Sequence, residues 1–132
     1  MKQFGLSAKE RIKSKKEFDL VYSAGEFLFS SSQKFKAVFF IQRKSETNGI
    51  KTAFAVSSKC GTAVWRNRVK RLLRESYRLN KKEIKDLVEL KKLNALIVFS
   101  SNKINQTNHK KIFLKEVMLE VVDLINQIKA KL

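Results

Sequence analysis

Residues 62–79 separate apolar and cationic side chains onto opposite sides of one helix, and no other stretch constrains the fold as strongly. At 100° per residue, the apolar stripe contains Trp65, Val69, Leu72, Leu73, Ser76 and Leu79. The opposite side carries Asn67, Lys70, Arg71, Arg74 and Arg78, and Arg66 and Arg68 border the stripe. Because the stripe has to be buried while the cations stay in water, the pattern predicts a surface helix from about Thr62 to Leu79 that lies on a larger core.

The positive charge of the chain is concentrated around this helix. The chain has 132 residues, with 29 Lys and Arg against 12 Asp and Glu, a formal net charge of +17. Residues 51–82 hold 10 of the basic side chains and one acidic side chain, Glu75. A folded chain with this charge repels itself until a polyanion neutralises it. The expected partner is therefore a nucleic acid or an acidic membrane surface, and the membrane is less favoured because the core needs the apolar stripe.

The row of cations matches a phosphate backbone in sign and in length. It extends over roughly 27 Å of helix, and five of its members are arginines, whose planar guanidinium groups suit bidentate contact with phosphate. The alternative is a basic surface that is merely solvated. Against it, Glu75 is the only acidic partner within the helix, so the repulsion between the cations is largely uncompensated.

The rarity of cysteine and histidine excludes several kinds of site. Cys60 has no second cysteine with which to form a disulfide or a cysteine-ligated zinc site. The only histidine, His109, is expected in solvent at the start of a helix. The N-terminus has no apolar signal segment, and the longest apolar runs, Ala37–Ile41 and Ala95–Phe99, are far below the about 20 residues that span a bilayer. We expect a cytoplasmic protein without a membrane partner.

The first predicted helix has a clear start and end. Ser14 and Glu17 form a capping box, and three apolar residues follow at helical spacing: Phe18, Val21 and Tyr22. Gly25 is expected to end the helix in a left-handed conformation. Residues 7–10 offer an alternative start.

Three extended segments follow: Phe27–Phe29, Phe35–Arg43 and Lys51–Ser57. Asn48-Gly49 predicts a hairpin turn between the second and third, since both residues tolerate positive φ. The second segment has two unequal faces. One is wholly apolar (Phe35, Ala37, Phe39, Ile41), and the other is mixed (Lys36, Val38, Phe40, Gln42). We expect the mixed face to contact solvent or a hydrated partner.

The rest of the chain completes an α+β pattern. A helix with Asn80 and Glu83 at its start runs to about Leu93, Ala95–Phe99 is a buried strand, and an amphipathic helix runs from about Asn108 to Lys131. Its apolar stripe contains Leu114, Val117, Met118, Val121, Leu124, Ile125 and Ile128. The order α-β-β-β-α-α-β-α predicts a single-domain α-β sandwich, residues 1–132 with an ordered core from about 9 to 130, in which helices cover a roughly four-stranded sheet.

Residues 57–75, SSKCGTAVWRNRVKRLLRE, resemble the signature of the bacterial ribonuclease P protein component. The centre of the signature is Arg66-Asn67-Arg68, followed by Lys70-Arg71 and then Arg74-Glu75. The first helix, with its Phe-x-x-Val-Tyr pattern before a glycine, and the order of elements are also similar to that family. The resemblance covers roughly residues 9–130.

The resemblance implies an RNA-binding subunit of an endoribonuclease. Members of this family bind a large catalytic RNA, and the ribonucleoprotein removes the 5′ leader from precursor tRNA. Hydrolysis is carried out by Mg²⁺ bound mainly by the RNA, while the protein raises affinity for substrate and for functional Mg²⁺. No catalytic or metal-binding residue and no stable protein partner are expected. The implied fold has a left-handed β-α-β crossover and is related to a ribosomal-protein domain.

The resemblance also assigns roles to residues. Those expected to bind the RNA subunit are Lys59, Arg66, Asn67, Arg68, Lys70, Arg71, Arg74 and Arg78. Those expected to line a cleft for the single-stranded leader are Phe18 and Tyr22, with Lys36, Val38 and Phe40 as the opposing wall. Phe18 and Tyr22 also fit a core stripe, so both interpretations remain open for them. Gly61 and Ala63 are expected to allow close backbone approach where the strand turns into the helix.

Two other functions compete with this one. A structural RNA-binding protein, such as a ribosomal protein or an RNA chaperone, would share the composition but would not need the aromatic first helix. A protein-only nuclease would need clustered carboxylates beside the basic helix, and the sequence has none there. The chain departs from the family at three positions. These are Ser58, where a second lysine is frequent, Cys60, where an aliphatic residue is common, and Ala24, where a histidine sometimes precedes the glycine. We expect Cys60 to be a small buried residue.

Overall fold

Helices and strands follow one another in the predicted order in the computed structural model, which describes residues 10–43 and 49–132. The helices are α1 (Lys15–Ala24), α2 (Ala63–Asn80), α3 (Lys82–Leu90) and α4 (Leu114–Lys131). The strands are β1 (Glu26–Phe29), β2 (Phe35–Gln42), β3 (Gly49–Ala55) and β4 (Asn94–Ser101), and a 3-10 turn covers Ser58–Cys60. The alternative start at residues 7–9 and the turn residue Asn48 lie outside the described residues.

The strands form one four-stranded mixed sheet in the order β1-β2-β4-β3. β4 pairs antiparallel with β2 and parallel with β3, so the hairpin predicted between the second and third strands is wrong. The physical reason is the composition of β4: Ala95–Phe99 is buried throughout, and a strand buried on both faces belongs in the centre of a sheet. α2 and α3 provide the crossover that joins the parallel strands β3 and β4. The mixed four-stranded sheet with its covering helices confirms the predicted α+β class. The left-handed course of this crossover stays a prediction.

One face of the sheet carries the main core, under α2, α3 and α4. The predicted apolar face of β2 lies here, with Phe35, Ala37 and Phe39 at most 5% exposed. The buried residues of α4 are Val117, Val121, Leu124, Ile125 and Ile128. Each such side chain contributes about 1.5–3 kcal/mol on burial. This packing fixes α2 firmly on the sheet.

α1 crosses the strands on the other face of the sheet. It packs through a smaller cluster formed by Ile12, Val21, Val38, Leu96 and Val98. Just before the helix, the Ile12 amide donates to the Thr52 carbonyl of β3 at 2.9 Å. At its other end, Gly25 packs against β2. The helix therefore covers the middle of this face and leaves the ends of the strands open.

The predicted cap of α1 is confirmed, but its end differs from the prediction. The Ser14 hydroxyl accepts a hydrogen bond from the Glu17 amide at 3.1 Å. Gly25 has a φ of −82° and is not left-handed. Glycine is needed there because a Cβ would lie 2.3 Å from the Val21 carbonyl oxygen and 2.8 Å from the Phe39 carbonyl oxygen.

Two other helix starts predicted from the sequence are wrong. Asn80 ends α2, and its side-chain amide donates to the Ser76 carbonyl at 2.8 Å instead of capping α3. α4 begins at Leu114 because Asn105 and Asn108 close a loop. Each of these two side-chain oxygens accepts the other residue's backbone amide, at 2.8 and 2.9 Å.

The buried side of α2 is rotated from the predicted stripe. Tyr77 is 2% exposed, whereas Leu79, which was placed in the stripe, is 37% exposed. The Tyr77 ring packs between Phe54 and Phe99, at centroid distances of 6.1 and 5.6 Å. This aromatic cluster favours burial of Tyr77 over Leu79. No helix in the described part of the chain is long and apolar enough to cross a bilayer.

Candidate nucleic-acid interface

The start of α2 is fixed by a cap and by a close backbone approach. The Thr62 hydroxyl accepts a hydrogen bond from the Trp65 amide at 3.2 Å. A Cβ on Gly61 would lie 2.8 Å from both Cβ and Oε1 of Gln106. The close approach predicted at Gly61 is therefore confirmed, while Ala63 is exposed.

The loop formed by residues 102–113 braces the first half of α2. The Gln106 side-chain oxygen accepts a hydrogen bond from the backbone amide of Thr62, the residue just before the helix, at 2.8 Å. The Trp65 indole donates to the His109 carbonyl at 2.9 Å, and Nη2 of Arg68 donates to the Ile112 carbonyl at 3.0 Å. His109 thus belongs to a bracing loop and not to a helix start, which corrects the prediction. The loop holds α2 on the main-core face of the sheet with its cationic side outward.

Five of the predicted RNA-binding residues line one open depression of about 540 Å³ on α2. They are Asn67, Arg68, Lys70, Arg71 and Arg74, with Val64 at the rim. We call these five residues the arginine face. Within the described residues, none of its four cations forms an ion pair with a carboxylate. Their positive charge is therefore available to a polyanion.

The other three predicted RNA-binding residues have different surroundings. Nε of Arg66 donates to the Gly61 carbonyl at 3.1 Å. Arg78 forms a salt bridge with Glu75, and its hydrogen bond lowers the pKa of that carboxyl. Lys59 is exposed in the 3-10 turn that follows β3. Arg66 and Arg78 have to share their hydrogen-bonding capacity with the protein, whereas Lys59 projects into solvent.

Cys60 lies next to Lys59 but is half-buried against the main core. Its sulfur is 3.8 Å from the Ser101 hydroxyl. This environment agrees with the predicted role of a small packing residue.

Arg74 connects the arginine face to a second cavity beside α1. Its guanidinium carbon lies 5.8 Å from the centroid of the Phe54 ring, within the range of a cation–π contact. The cavity, of about 240 Å³, is lined by Arg11, Ile12, Phe18, Thr52, Ala53, Phe54 and Arg74. A predicted leader-binding aromatic and a predicted RNA-binding arginine therefore line the same cavity.

Phe18 and Tyr22 lie on the side of α1 that is turned away from Lys51. The Lys51 amine pairs with the Glu17 carboxylate at 2.9 Å. At 100° per residue, Phe18 and Tyr22 are roughly 100° and 140° around the helix from Glu17. Tyr22 is 47% exposed, and partial burial raises the pKa of its hydroxyl. Phe18 is half-buried, so it both packs on the core and borders the cavity.

An open row of side chains crosses the sheet beside α1. It consists of Phe29, Lys36, Ser100 and Ala55, which lie opposite one another on β1, β2, β4 and β3. Each of these residues is partly or largely exposed. We call Lys36, Ser100 and Ala55, together with Phe18 and Tyr22, the trough, and Phe29 stands just beyond its β1 end. At its β3 end it leads to the 3-10 turn before α2.

Two of the predicted leader-binding residues do not belong to the trough. Val38 is 2% exposed beneath α1, so it supports the helix and has no open surface for RNA. Phe40 lies four residues beyond Lys36 on β2, roughly 13 Å away. It shares its row with Leu96 and Lys51. Because α1 lies over Val38, Lys36 and Phe40 are on opposite sides of the helix, and only Lys36 is in the trough.

Sequence reasoning missed Phe29, Ser100 and Ala55. The strand that contains Phe29 was predicted, but its faces could not be assigned without a pairing register. The signal was the alternation of Phe27, Leu28 and Phe29, which places two phenylalanines on the face opposite the main core.

The described residues offer no cluster of carboxylates for the Mg²⁺ that the family implies. Within residues 10–43 and 49–132, no group of three or more His, Cys, Asp or Glu side chains is close enough to hold a metal ion. The arginine face consists of four cations, which repel Mg²⁺, and one amide, and it holds none of the carboxylates by which proteins usually bind this ion.

Fold and site together define a small, basic α+β protein that gathers cationic side chains on the outer side of one surface helix. The chain matches the ribonuclease P family over residues 6–121. It is 33% identical to the ribonuclease P protein component of Alkaliphilus metalliredigens over 124 residues, which covers 94% of this chain and 97% of the relative. The chain belongs to the ribonuclease P protein component family.

Further relatives and solved structures agree. The chain is 35% identical to the ribonuclease P protein component of Clostridium botulinum strain Langeland over 102 residues, 77% of this chain and 83% of the relative. The RNase P protein from Thermotoga maritima has a TM-score of 0.69 at 25% identity and covers 89% of this chain and 96% of its own. The RNase P protein of Staphylococcus aureus has a TM-score of 0.68 at 21% identity, over 91% and 95% of the two chains. As a family member, the chain is a protein component of a tRNA-processing ribonucleoprotein whose partner is RNase P RNA.

Proposed function

We propose that the arginine face binds RNase P RNA while the trough binds the 5′ leader of precursor tRNA. The observation that carries this proposal is the position of Arg74, which borders both the depression on α2 and the cavity that contains Phe18. An RNA-binding helix and an aromatic helix thus form one continuous surface. Family membership supports the first contact, and the geometry of the trough supports the second.

The two surfaces suit two different RNA structures. Guanidinium groups with no acidic partner, arranged along a rigid helix, match the phosphates of a folded RNA. The trough offers aromatic rings beside Lys36, on which bases of a single strand stack with about 1–3 kcal/mol per base and without sequence preference. Leaders of different sequence can therefore share one site.

In this proposal the RNA subunit performs the hydrolysis, and Mg²⁺ bound by that RNA supplies the metal chemistry. The protein residues bind and orient the substrate and reduce repulsion between the phosphates of the two RNAs. With less repulsion, the two RNAs keep the folded geometry that binds functional Mg²⁺, so that less Mg²⁺ is needed to maintain it. The protein is thus expected to lower the Mg²⁺ concentration that cleavage requires.

Reconstitution with a bacterial RNase P RNA tests the proposal. With protein added, leader-bearing precursor should bind more tightly than mature tRNA, and cleavage should proceed at lower Mg²⁺ than with RNA alone. Arg68→Ala combined with Arg71→Ala should lose most of this stimulation. Lys85→Ala combined with Lys91→Ala, which removes two cations at α3, is the matched control.

Three outcomes would contradict the proposal. Unchanged cleavage by the double arginine variant at low Mg²⁺ would exclude α2 as the RNA-binding element. RNA binding without any preference for a leader would favour a purely structural RNA-binding protein. Cleavage of precursor tRNA by the protein without RNA would assign the chemistry to the protein.

A further inference from the structure

Two phenylalanines of β1 are exposed to solvent on the same face of the sheet. Phe27 and Phe29 are each 46% exposed, while Leu28 between them packs against the main core. Phe27 lies opposite Val38, and Phe29 lies opposite Lys36. Both rings therefore project from the face that carries α1. Packing in the main core does not explain them, because that core is on the other face.

The positions of the two rings extend the trough. Phe29 is the end of the row that continues through Lys36, Ser100 and Ala55 toward the 3-10 turn before α2. Phe27 lies two residues before Phe29 on β1, close to the end of α1. β1 is an edge strand of the sheet, so no further strand lies beyond it. The rings thus stand at the end of the trough farthest from the arginine face.

We infer that Phe27 and Phe29 form a second base-stacking platform, which binds the leader nucleotides that extend beyond the trough. The inference rests on the proposed function, because the direction of the leader is set by the arginine face at the other end of the trough. Exposed aromatic rings bind single-stranded bases of any sequence, and adjacent cations bind the phosphates between them. Lys36 is directly opposite Phe29 and provides such a cation.

The charges around the platform fit an anionic strand. Glu26, the acidic residue of β1, is neutralised by a salt bridge to Lys131 at 2.7 Å. Glu120 and Asp123 accept hydrogen bonds from the serines of the β1–β2 loop and belong to α4, on the opposite face. Asp19 on α1 is an exposed carboxylate on the same face, and it is outweighed by the net charge of +17.

A second protein strand is a poorer occupant of this edge. β1 has only four residues, and Nε2 of Gln127 already donates to the outward carbonyl of Phe29 at 3.0 Å. Short and partly covered edges resist strand addition. A second copy of this chain would also bring two molecules of net charge +17 together.

The test is the affinity of the reconstituted holoenzyme for precursor tRNAs whose leaders increase in length by single nucleotides. With the unaltered protein, affinity should rise first as the trough is filled and again when the leader reaches β1. Phe27→Ala combined with Phe29→Ala should remove the second rise, a loss of about fivefold or more per stacked base. Affinity for short leaders and for RNase P RNA should be unchanged.

Three further variants identify stacking as the cause. Phe27→Leu combined with Phe29→Leu keeps apolar surface without a ring and should also lose the second rise. Phe29→Trp should keep it and should show quenched tryptophan fluorescence only with long leaders, after correction for Trp65. Leu90→Ala combined with Leu119→Ala, which removes two exposed apolar side chains elsewhere, should behave as the unaltered protein.

The outcomes separate this inference from the proposed function. A second rise that survives in the double alanine or the double leucine variant would overturn the platform. A change in the self-association of the double alanine variant, measured by sedimentation, with unchanged affinity for long leaders would also overturn the platform. That result would assign the two rings to a contact between protein molecules. If the unaltered protein shows no leader preference at any length, the proposed function itself fails.

Discussion

Arg68 and Arg71 line the same depression on α2, but the protein holds them in different ways. Two nitrogens of Arg68 donate to the Ile112 carbonyl, at 3.0 and 3.4 Å, so the loop before α4 fixes its guanidinium. Arg71 is exposed, and no bond to another described residue fixes its side chain. The first residue therefore contributes to folding as well as to binding, whereas the second contributes to binding alone.

Arg71→Ala and Arg68→Ala should weaken binding to RNase P RNA, and each should reduce the dependence of log affinity on log salt by about one unit. Only Arg68→Ala should also lower the free energy of unfolding, by about 0.5–1.5 kcal/mol, because the Ile112 carbonyl loses its donors. Urea unfolding and salt-dependent binding titrations measure the two effects. Arg71→Lys, which keeps the charge, should keep the salt dependence. Equal destabilisation by both alanine variants would contradict this distinction.

Gly25→Ala should destabilise the protein more than Gly61→Ala. A Cβ at residue 25 meets two carbonyl oxygens of the backbone, at 2.3 and 2.8 Å, which cannot move independently. At residue 61 it meets side-chain atoms only, Cβ and Oε1 of Gln106 at 2.8 Å and the Trp65 ring at 3.0 Å, and these can shift more readily than backbone. We expect a cost of about 1–3 kcal/mol at residue 25 and less at residue 61. Urea midpoints of the two variants give the comparison, and a larger cost at residue 61 would contradict it.

At the scale of elements, α1 differs from the other helices in how it is attached. Val21 is its one fully buried residue, and polar links secure the segment around it. The Lys81 amine, 3% exposed at the junction of α2 and α3, pairs with Glu10 at 2.6 Å. Glu17 pairs with Lys51 of β3 at 2.9 Å. The helix that carries the trough aromatics is thus positioned by ion pairs more than by a large core.

Acid should weaken the attachment of α1 through Glu17. Burial raises the pKa of this carboxyl, but the hydrogen bond and charge of Lys51 outweigh it, so the pKa is below its usual value of 4.5. The Glu17–Lys51 pair therefore stabilises the folded protein fully above pH 4.5. This stabilisation is lost as the pH falls through the lower pKa that Glu17 has in the folded state. Glu17→Gln should therefore be less stable than the unaltered protein at neutral pH, and the difference should shrink and vanish as the pH falls below the lowered pKa of Glu17.

The measurement is the urea midpoint of both proteins across this pH range. Glu89→Gln, which removes an exposed carboxylate of α3, is the control and should track the unaltered protein. A Glu17→Gln variant that remains less stable in acid would show that the side chain contributes by packing and not by charge.

For the whole molecule, the net charge of +17 has opposite effects on folding and on binding. Repulsion between unpaired cations destabilises the free protein, and salt or a polyanion reduces it. RNA binding gains from the release of counterions, so salt weakens it. The surface that makes the complex stable is therefore a cost to the protein alone.

Raising salt from 50 to 200 mM should increase the melting temperature of the free protein and lower its affinity for RNase P RNA. With about 6–10 phosphate contacts, the affinity should fall by about 10³–10⁵-fold. Thermal unfolding and binding titrations in the same buffers measure both trends. A melting temperature that falls with salt would show that attractive ion pairs, rather than repulsion, dominate the free protein.

The sequence by itself determined the elements, their order and the cationic side of α2. Helical and strand periodicities are local, and the spacing of Trp65, Val69 and Leu73 against Arg71 and Arg74 needs no partner to be recognised. The motif at residues 57–75 identified the family for the same reason, because a signature is a property of consecutive residues.

Only the tertiary structure decided which strands are neighbours and which side chains form the trough. Alternation along β2 grouped Lys36, Val38 and Phe40 on one face, but the path of α1 over Val38 separates the other two. Phe29 lies at the end of the trough because β1 pairs with β2 in a register that the sequence does not encode locally. Contacts between distant segments depend on how whole elements pack, and this packing is a property of the folded chain rather than of any stretch of it.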